Sequence, residues 1–334
     1  MATIYDIAKL AKVSPATVSR ALSQPDLVTE ATRKRVQAAV AKLGFVPNAA
    51  AKSLRTRRTG KLLVTVPDVS NPFFAEIVKG VEEAAQLEGY AVLLGDTQLQ
   101  PEREESYAQI LRRQEADGLI VLGHRLPPTA RELVDELGTA APVVNGCEFT
   151  PDLGVPSVHI DNAGAAHVAM AHLYTLGHRR VGVVGGPESN PLHHQRLEGA
   201  KAAARANRAL RGLRIESGDF SVESGYEAGK RMLSLPDRPT AIFCFSDQMA
   251  MGVLAACRVL GLKVPTDVSV VGFDDLRTTR FLAPALTTIS QPMRMIGSET
   301  VRVLLGILAG KSHPDGVELP FELIVRESTA PPRG

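Results

Sequence analysis

The 334-residue sequence predicts an α/β chain, with an all-α N-terminal head and a bilobed body of two parallel-sheet subdomains. Three observations carry this prediction. Helix-start signals crowd the first 45 residues, which hold no strand-like run. From Lys61 onward, short Val/Ile/Leu runs alternate with helical stretches, as parallel strands covered on both faces require. The alternation begins afresh near residue 158, which divides the body into halves. With 44% hydrophobic residues the chain can fill two cores besides a small head.

The head follows from its caps. Thr3 and Asp6 form a capping box before an apolar set of Ile4, Ile7, Ala8, Leu10 and Ala11. After a break at Lys12 and Val13, Ser14 is an N-cap and Pro15 occupies the first helical position, where its missing N–H costs nothing. The second helix should turn Val18 and Leu22 inward and leave Ala16, Thr17, Ser19 and Arg20 outside. Two short helices around a tight turn, the second carrying small polar residues and an Arg, make a helix-turn-helix DNA reader rather than an ordinary helical hairpin. The turn lacks the usual Gly, so Lys12 must take its place. A third helix is predicted from the cap Thr29 to Leu43, ended by Gly44, with Val36, Ala39, Val40 and Leu43 closing the bundle.

Charge places the partner. Residues 1–60 carry eleven Lys and Arg against three acids, whereas the remainder is net −6 although the whole chain sums to +2. A basic head on an acidic body suits a protein in which only one part displaces counterions from phosphates. Behind the head, Asn48 after Pro47 can cap a short alanine-rich helix that presents Leu54 among cations. An apolar side chain there can wedge into a minor groove and kink the duplex. Such a helix is marginal alone and should order only with DNA and a second copy.

In the body, strand-like runs fall at 62–66, 91–94, 119–122 and 143–144, with helices starting near Pro72, Pro101 and Thr129. The second half offers runs at 158–160, 181–184, 241–245, 268–273 and 321–325, and helices over 161–176, 191–207, 222–233, 247–260 and 292–308. Ligands of open parallel sheets sit beyond the carboxyl ends of strands. Those ends are polar: Asp68 and Asn71 with Phe73 and Phe74; His124; Asn145 and Glu148; His193, His194 and Arg196; Ser246 and Asp247; Asp274 and Asp275; Gln291. Fixed donors and acceptors beside aromatic faces suit a small polyhydroxylated ligand, with Asp274 as a bidentate acceptor for vicinal hydroxyls. Some of these acids, Asp161 and Asp247 first, can instead be helix caps.

Other chemistries lack their signatures. No GxGxxG, Walker or GxSxG sequence occurs, and the histidines have poor metal-ligand spacing, so neither catalytic residues, metal nor cofactor is expected. Cys147, Cys244 and Cys257 are unpatterned, and Asp6 and Lys9 break any signal-peptide core, which together suit the cytoplasm. No run of about 18 apolar residues exists to cross a membrane. A transport binding protein would share the bilobed body but need a signal peptide and no basic head.

The strings TVSRAL, AAAKSLR, NPFFAEI, SDQMAMG, VGFDD and LTTISQP occur in this order. With them, the chain resembles the LacI/GalR family of transcriptional repressors along essentially its whole length. The resemblance implies a periplasmic-binding-protein-like body and a domain plan of 1–46 (head), 47–60 (hinge helix and linker) and 61–334 (effector and dimerisation domain). The N-subdomain would take about 61–160 plus 292–320, and the C-subdomain about 161–291 plus 321–330. It implies DNA contacts from Ser14, Ala16, Thr17, Ser19 and Arg20, extended to Thr3, Tyr5, Thr29, Asn48, Ala51 and Arg55, with Leu54 as the wedge. It implies effector contacts from Phe73, Phe74, Arg196, Asp274 and Gln291, joined by the strand-end residues Asn71, His124, Glu148, His194 and Ser246. The strings PDVSNPFF, VPSVHIDN, LKVP and ELIVRES are similar to nucleoside-responsive members, which implies an effector such as cytidine or adenosine, with ribose, another sugar or a purine base as the alternative. A homodimer on a near-palindromic operator is the implied assembly. The chain departs from many relatives after the fourth strand, where Asn145, Cys147 and Glu148 stand in place of an Asp.

Overall fold

The structure, a computed structural model, describes residues 2–45 and 58–333. Head and body are separate compact units that divide between Thr59 and Gly60.

The head contains α1 (Ile4–Ala11), α2 (Pro15–Ser23) and α3 (Glu30–Leu43). Thr3 and Asp6 close a reciprocal capping box, and Ser14 and Thr29 accept from the backbone N–H groups of Thr17 and Thr32. Lys12 ends α1 in the left-handed region at φ 54° and ψ 50°, the turn conformation that Gly would adopt at lower cost. Ile7, Ala8, Ala11, Val18, Ala21, Val36 and Ala39 form the core. Three leucines expected inside lie at the rim instead: Leu10, Leu22 and Leu43 are 41%, 37% and 36% exposed. The interior places next to them are taken by alanines, Ala11, Ala21 and Ala39.

The body has two six-stranded sheets. In the N-lobe, β1 (Lys61–Val66), β2 (Ala91–Asp96), β3 (Gly118–Val121), β4 (Val143–Gly146), β5 (Ser157–Ile160) and β11 (Gly316–Leu319) lie in the order β11-β5-β4-β3-β1-β2. In the C-lobe, β6 (Val181–Gly185), β7 (Leu213–Ser217), β8 (Ala241–Cys244), β9 (Ser269–Asp274), β10 (Thr287–Ser290) and β12 (Glu322–Ile324) repeat that winding as β12-β10-β9-β8-β6-β7. All described pairings are parallel except β10 with β12, which is antiparallel. The reason is topological: β12 arrives directly from the other lobe instead of through a crossover helix. The chain passes between the lobes at 161, at 291–292 and at 320–321.

The helices are α4 (Pro72–Leu87), α5 (Pro101–Arg112) and α6 (Pro128–Leu137) in the N-lobe, joined there by α11 (Met293–Leu308). The C-lobe has α7 (Asn162–Thr175), α8 (Pro191–Ala206), α9 (Val222–Leu233) and α10 (Asp247–Val259). Close helix contacts depend on glycine. A Cβ at Gly297 of α11 would lie 2.2 Å from the Ile77 carbonyl of α4, and one at Gly199 of α8 would lie 1.9 Å from the Ala163 carbonyl of α7. No described helix is long and apolar enough to cross a membrane.

Candidate functional site

Two sites were predicted, and each is built on its own unit. On the head, Ser14 Oγ accepts from Thr17 N at 3.1 Å and lies 2.9 Å from Thr17 Oγ1. Val18, fully buried, anchors α2 to the core, so Ala16 and Arg20 are exposed and Thr17 and Ser19 half-exposed along one edge. No acid occupies the first turn of α2, so its positive pole is open to phosphate. Tyr5 projects from α1 at 71% exposure. Thr3 is committed to the cap, its hydroxyl donating to Asp6 Oδ2 at 2.7 Å, and Thr29 caps α3. Asn48, Ala51, Leu54 and Arg55 lie outside the described residues.

In the body, the carboxyl ends of β1, β3, β4, β8 and β9 converge on a cleft between the lobes with a volume of about 230 Å³. Asn71, Phe73, Phe74, His124 and Glu148 line it from the N-lobe, and Arg196, Ser246 and Asp274 from the C-lobe. Arg196 is buried on α8: Nε donates to Asn162 Oδ1 at 2.9 Å, Nη1 donates to the Phe245 carbonyl, and the guanidinium lies 3.7 Å above the centre of the Phe273 ring. Burial lowers its pKa to about 10, opposed by the charges of Asp274 and Glu148, so it stays cationic at neutral pH. Asp274 ends β9 at φ 121°, a conformation that an L residue adopts under strain and that marks a positioned side chain. Burial pushes its carboxyl up to about 7, against the pull of Arg196 and a hydrogen bond from Gln291. Among the described ion pairs within 4 Å none joins Arg196 to Asp274, so both retain hydrogen-bonding capacity toward the cleft.

Four expectations need correction. His194 is exposed on the outer side of α8 and does not line the cleft, because adjacent helical residues diverge by about 100°. Its neighbour His193 is the buried one, edge-on to Phe245 with ring centroids 5.9 Å apart. Gln291 is buried behind Asp274 and donates to its Oδ1 at 2.7 Å, so it positions the carboxylate and does not face the cleft. Asp161 is a helix cap, but Asp247 is not: Ser246 caps α10, and Asp247 accepts from Thr288 Oγ1 and Leu276 N. Burial and the nearby Asp274 charge raise the Asp247 pKa. Asn145 also turns away from ligand duty, donating to the carbonyls of Val121 and Gly123.

Sequence reasoning missed Asn190 and Phe220, both on the C-lobe wall. A signal for the first was present. Ser70-Asn71-Pro72 and Ser189-Asn190-Pro191 are the same tripeptide, and each Asn caps the first helix of its lobe's cleft wall. Among the described residues no cluster of His, Cys, Asp and Glu is arranged to hold a metal, and the three cysteines are buried and unpaired with one another.

Comparison with known proteins agrees with both units. Residues 3–48 match the family described as bacterial regulatory proteins, lacI family, and residues 170–329 match a periplasmic binding protein-like domain. The chain is 43% identical over 330 residues to the HTH-type transcriptional repressor CytR of Escherichia coli (strain K12), covering 98% of this chain and 96% of that one. The crystal structure of the Lac repressor dimer bound to operator and the anti-inducer ONPF superposes with a TM-score of 0.89 at 28% identity, covering 98% and 99% of the two chains. A LacI family transcriptional regulator from Enterococcus faecium with bound ribose superposes with a TM-score of 0.73 at 25% identity, covering 81% of this chain and 99% of that one.

Proposed function

The chain belongs to the LacI family and is a DNA-binding transcriptional repressor, not an enzyme, and from that premise we propose that a nucleoside held between its lobes controls its grip on operator DNA. The observation that carries the effector reading is the composition of the cleft floor and wall. Arg196 and Asp274 offer a donor and an acceptor for vicinal ribose hydroxyls, while Phe73, Phe74 and Phe220 offer rings against which a base packs. The ribose bound to a relative with this fold supports the pentose half of that ligand.

In this reading the repressor acts in the cytoplasm as a homodimer that spans a near-palindromic operator, with one α2 in each major-groove half-site. Arg20 reads base edges, and Ala16 packs close to a thymine methyl or the backbone. Leu54, assigned from sequence alone, is the minor-groove wedge. The nucleoside binds the open and closed lobe arrangements unequally, and a coupling of about 1–3 kcal/mol changes operator affinity roughly 5–150-fold.

Calorimetry on the full-length protein with cytidine, adenosine, uridine, ribose and cytosine tests the proposal. A nucleoside should bind at least about tenfold more tightly than ribose or the free base, and it should shift operator affinity in a parallel anisotropy titration. Binding of ribose or a free base as tight as that of every nucleoside would replace this reading with a sugar- or base-responsive one.

A further inference from the structure

One side chain at the end of β4 leaves its own lobe. Glu148 N donates to the Gly146 carbonyl at 2.9 Å around Cys147, which stands at φ 65°. This is a γ-turn of the uncommon, strained positive-φ kind, and it aims the Glu148 carboxylate across the cleft. The carboxylate is buried. Its Oε2 lies 3.1 Å from His124 Nδ1 of the same lobe. Its Oε1 accepts from Asn190 Nδ2 of the other lobe at 3.0 Å. One residue further on, the Phe149 carbonyl accepts from Gln195 Nε2 of α8 at 3.1 Å. Two consecutive N-lobe residues thus grip the beginning of one C-lobe helix.

Asn190 serves both sides of this contact. Its Oδ1 caps α8 by accepting from Leu192 N at 2.9 Å, which leaves Nδ2 to donate to Glu148. The pair is fixed in polarity: the carboxylate can only accept, and the amide presents its donor because its oxygen is occupied. Buried groups so matched are costly to separate, since opening the lobes would expose or strand both.

We propose that Glu148 and Asn190 form a latch between the lobes, a protein-only bond that favours the closed arrangement and sets how much closure is left for the effector to drive. Because apparent affinity scales with the population of the binding-competent state, the latch tightens effector binding without depending on which effector is bound.

The bond's polarity supplies its test. Asn190→Asp keeps the cap of α8, because Asp caps as well as Asn, but sets a carboxylate against Glu148. Adding Glu148→Gln reverses the pair, so that the introduced amide donates to the introduced carboxylate. Spin labels at Glu102→Cys and Glu223→Cys, exposed positions on opposite lobes, report the interlobe distance in full-length protein without added ligand. Dilution with unlabelled chain suppresses distances between copies, and the native cysteines are buried. Asn190→Asp should shift the closed-to-open ratio by about tenfold or more toward open, and E148Q/N190D should restore the parent distribution. An unchanged distribution in Asn190→Asp, or an open double variant, overturns the latch. If Asn190→Asp unfolds the C-lobe, Glu148→Ala removes the acceptor without touching α8, and unchanged distances there overturn it equally. The readout needs no nucleoside, so it stands or falls apart from the effector reading.

Discussion

Effector affinity should rise with pH through neutrality because of one carboxyl group. Asp274 is held up to about 7 by burial, which outweighs Arg196 and the hydrogen bond from Gln291. Sugar hydroxyls bind best to the ionised form, which accepts at both oxygens. Below its pKa, each pH unit should therefore weaken binding about tenfold, or about 30-fold at pH 5.5, with a plateau above about pH 8. The stability of the ligand-free fold runs the other way. Native Asp274 keeps its proton up to about 7 while the unfolded residue loses it near 3.8, so the stabilisation it provides is complete at low pH and fades as pH rises through that window. Asp274→Asn imitates the protonated state. It should bind cytidine about 10- to 150-fold more weakly at pH 8, the value of a hydrogen bond to a charged group, with a flatter pH profile, and it should melt at a higher temperature than the parent at that pH. Calorimetry between pH 5.5 and 8 in buffers of different ionisation enthalpy counts the proton released on binding. A flat parent profile, or a slope that survives in Asp274→Asn, would refute the reasoning.

Further outcomes follow from the same geometry. Arg20→Ala should weaken selected operator by about 1–3 kcal/mol and random duplex much less; equal losses in anisotropy titrations would remove base readout from this side chain. Lys12→Gly should stabilise the head by about 0.5–1 kcal/mol, since φ 54° at this position strains Lys and suits Gly; a lower head transition in calorimetric melting would contradict this. Gly199→Ala should destabilise the body by about 1–3 kcal/mol or more, because its Cβ would lie 1.9 Å from the Ala163 carbonyl; denaturant unfolding without loss of stability would show that α7 and α8 separate freely.

What could be read from the sequence was mostly local. Thr3 with Asp6, Ser14 with Pro15, Thr29 and Gly44 all lie at helix ends, because a cap needs only a side chain within three residues of the backbone group it satisfies. The fully buried strands were legible for a related reason: both faces are covered, so apolar runs are continuous. Two of the four edge strands escaped, whereas β2 and β12 were read as runs at 91–94 and 321–325. Leu213–Ser217 and Gly316–Leu319 are half-exposed and carry Arg or Glu between apolar residues. The inward faces of the head failed at Ala21, buried, and Leu22, 37% exposed, since nothing local in the sequence distinguishes which of the two neighbours turns inward. Distance in the chain defeated the rest. Gln291 and Asp274 lie 17 residues apart and Glu148 and Asn190 lie 42 apart, and a hydrogen bond between remote residues leaves no periodicity in the sequence.

The three passages of the chain between the lobes have a mechanical consequence. Three short backbone leaves side by side form a flexure: it bends readily about the line through them and resists sliding or twisting, which would stretch at least one leaf. Each lobe supplies strands that come late in the chain, β11 to one sheet and β12 to the other, so neither lobe can drift without loading its neighbour's edge. The lobes thus retain close to a single angular degree of freedom, and what a small molecule tells the rest of the protein is reduced to one number, the angle at which the jaws come to rest.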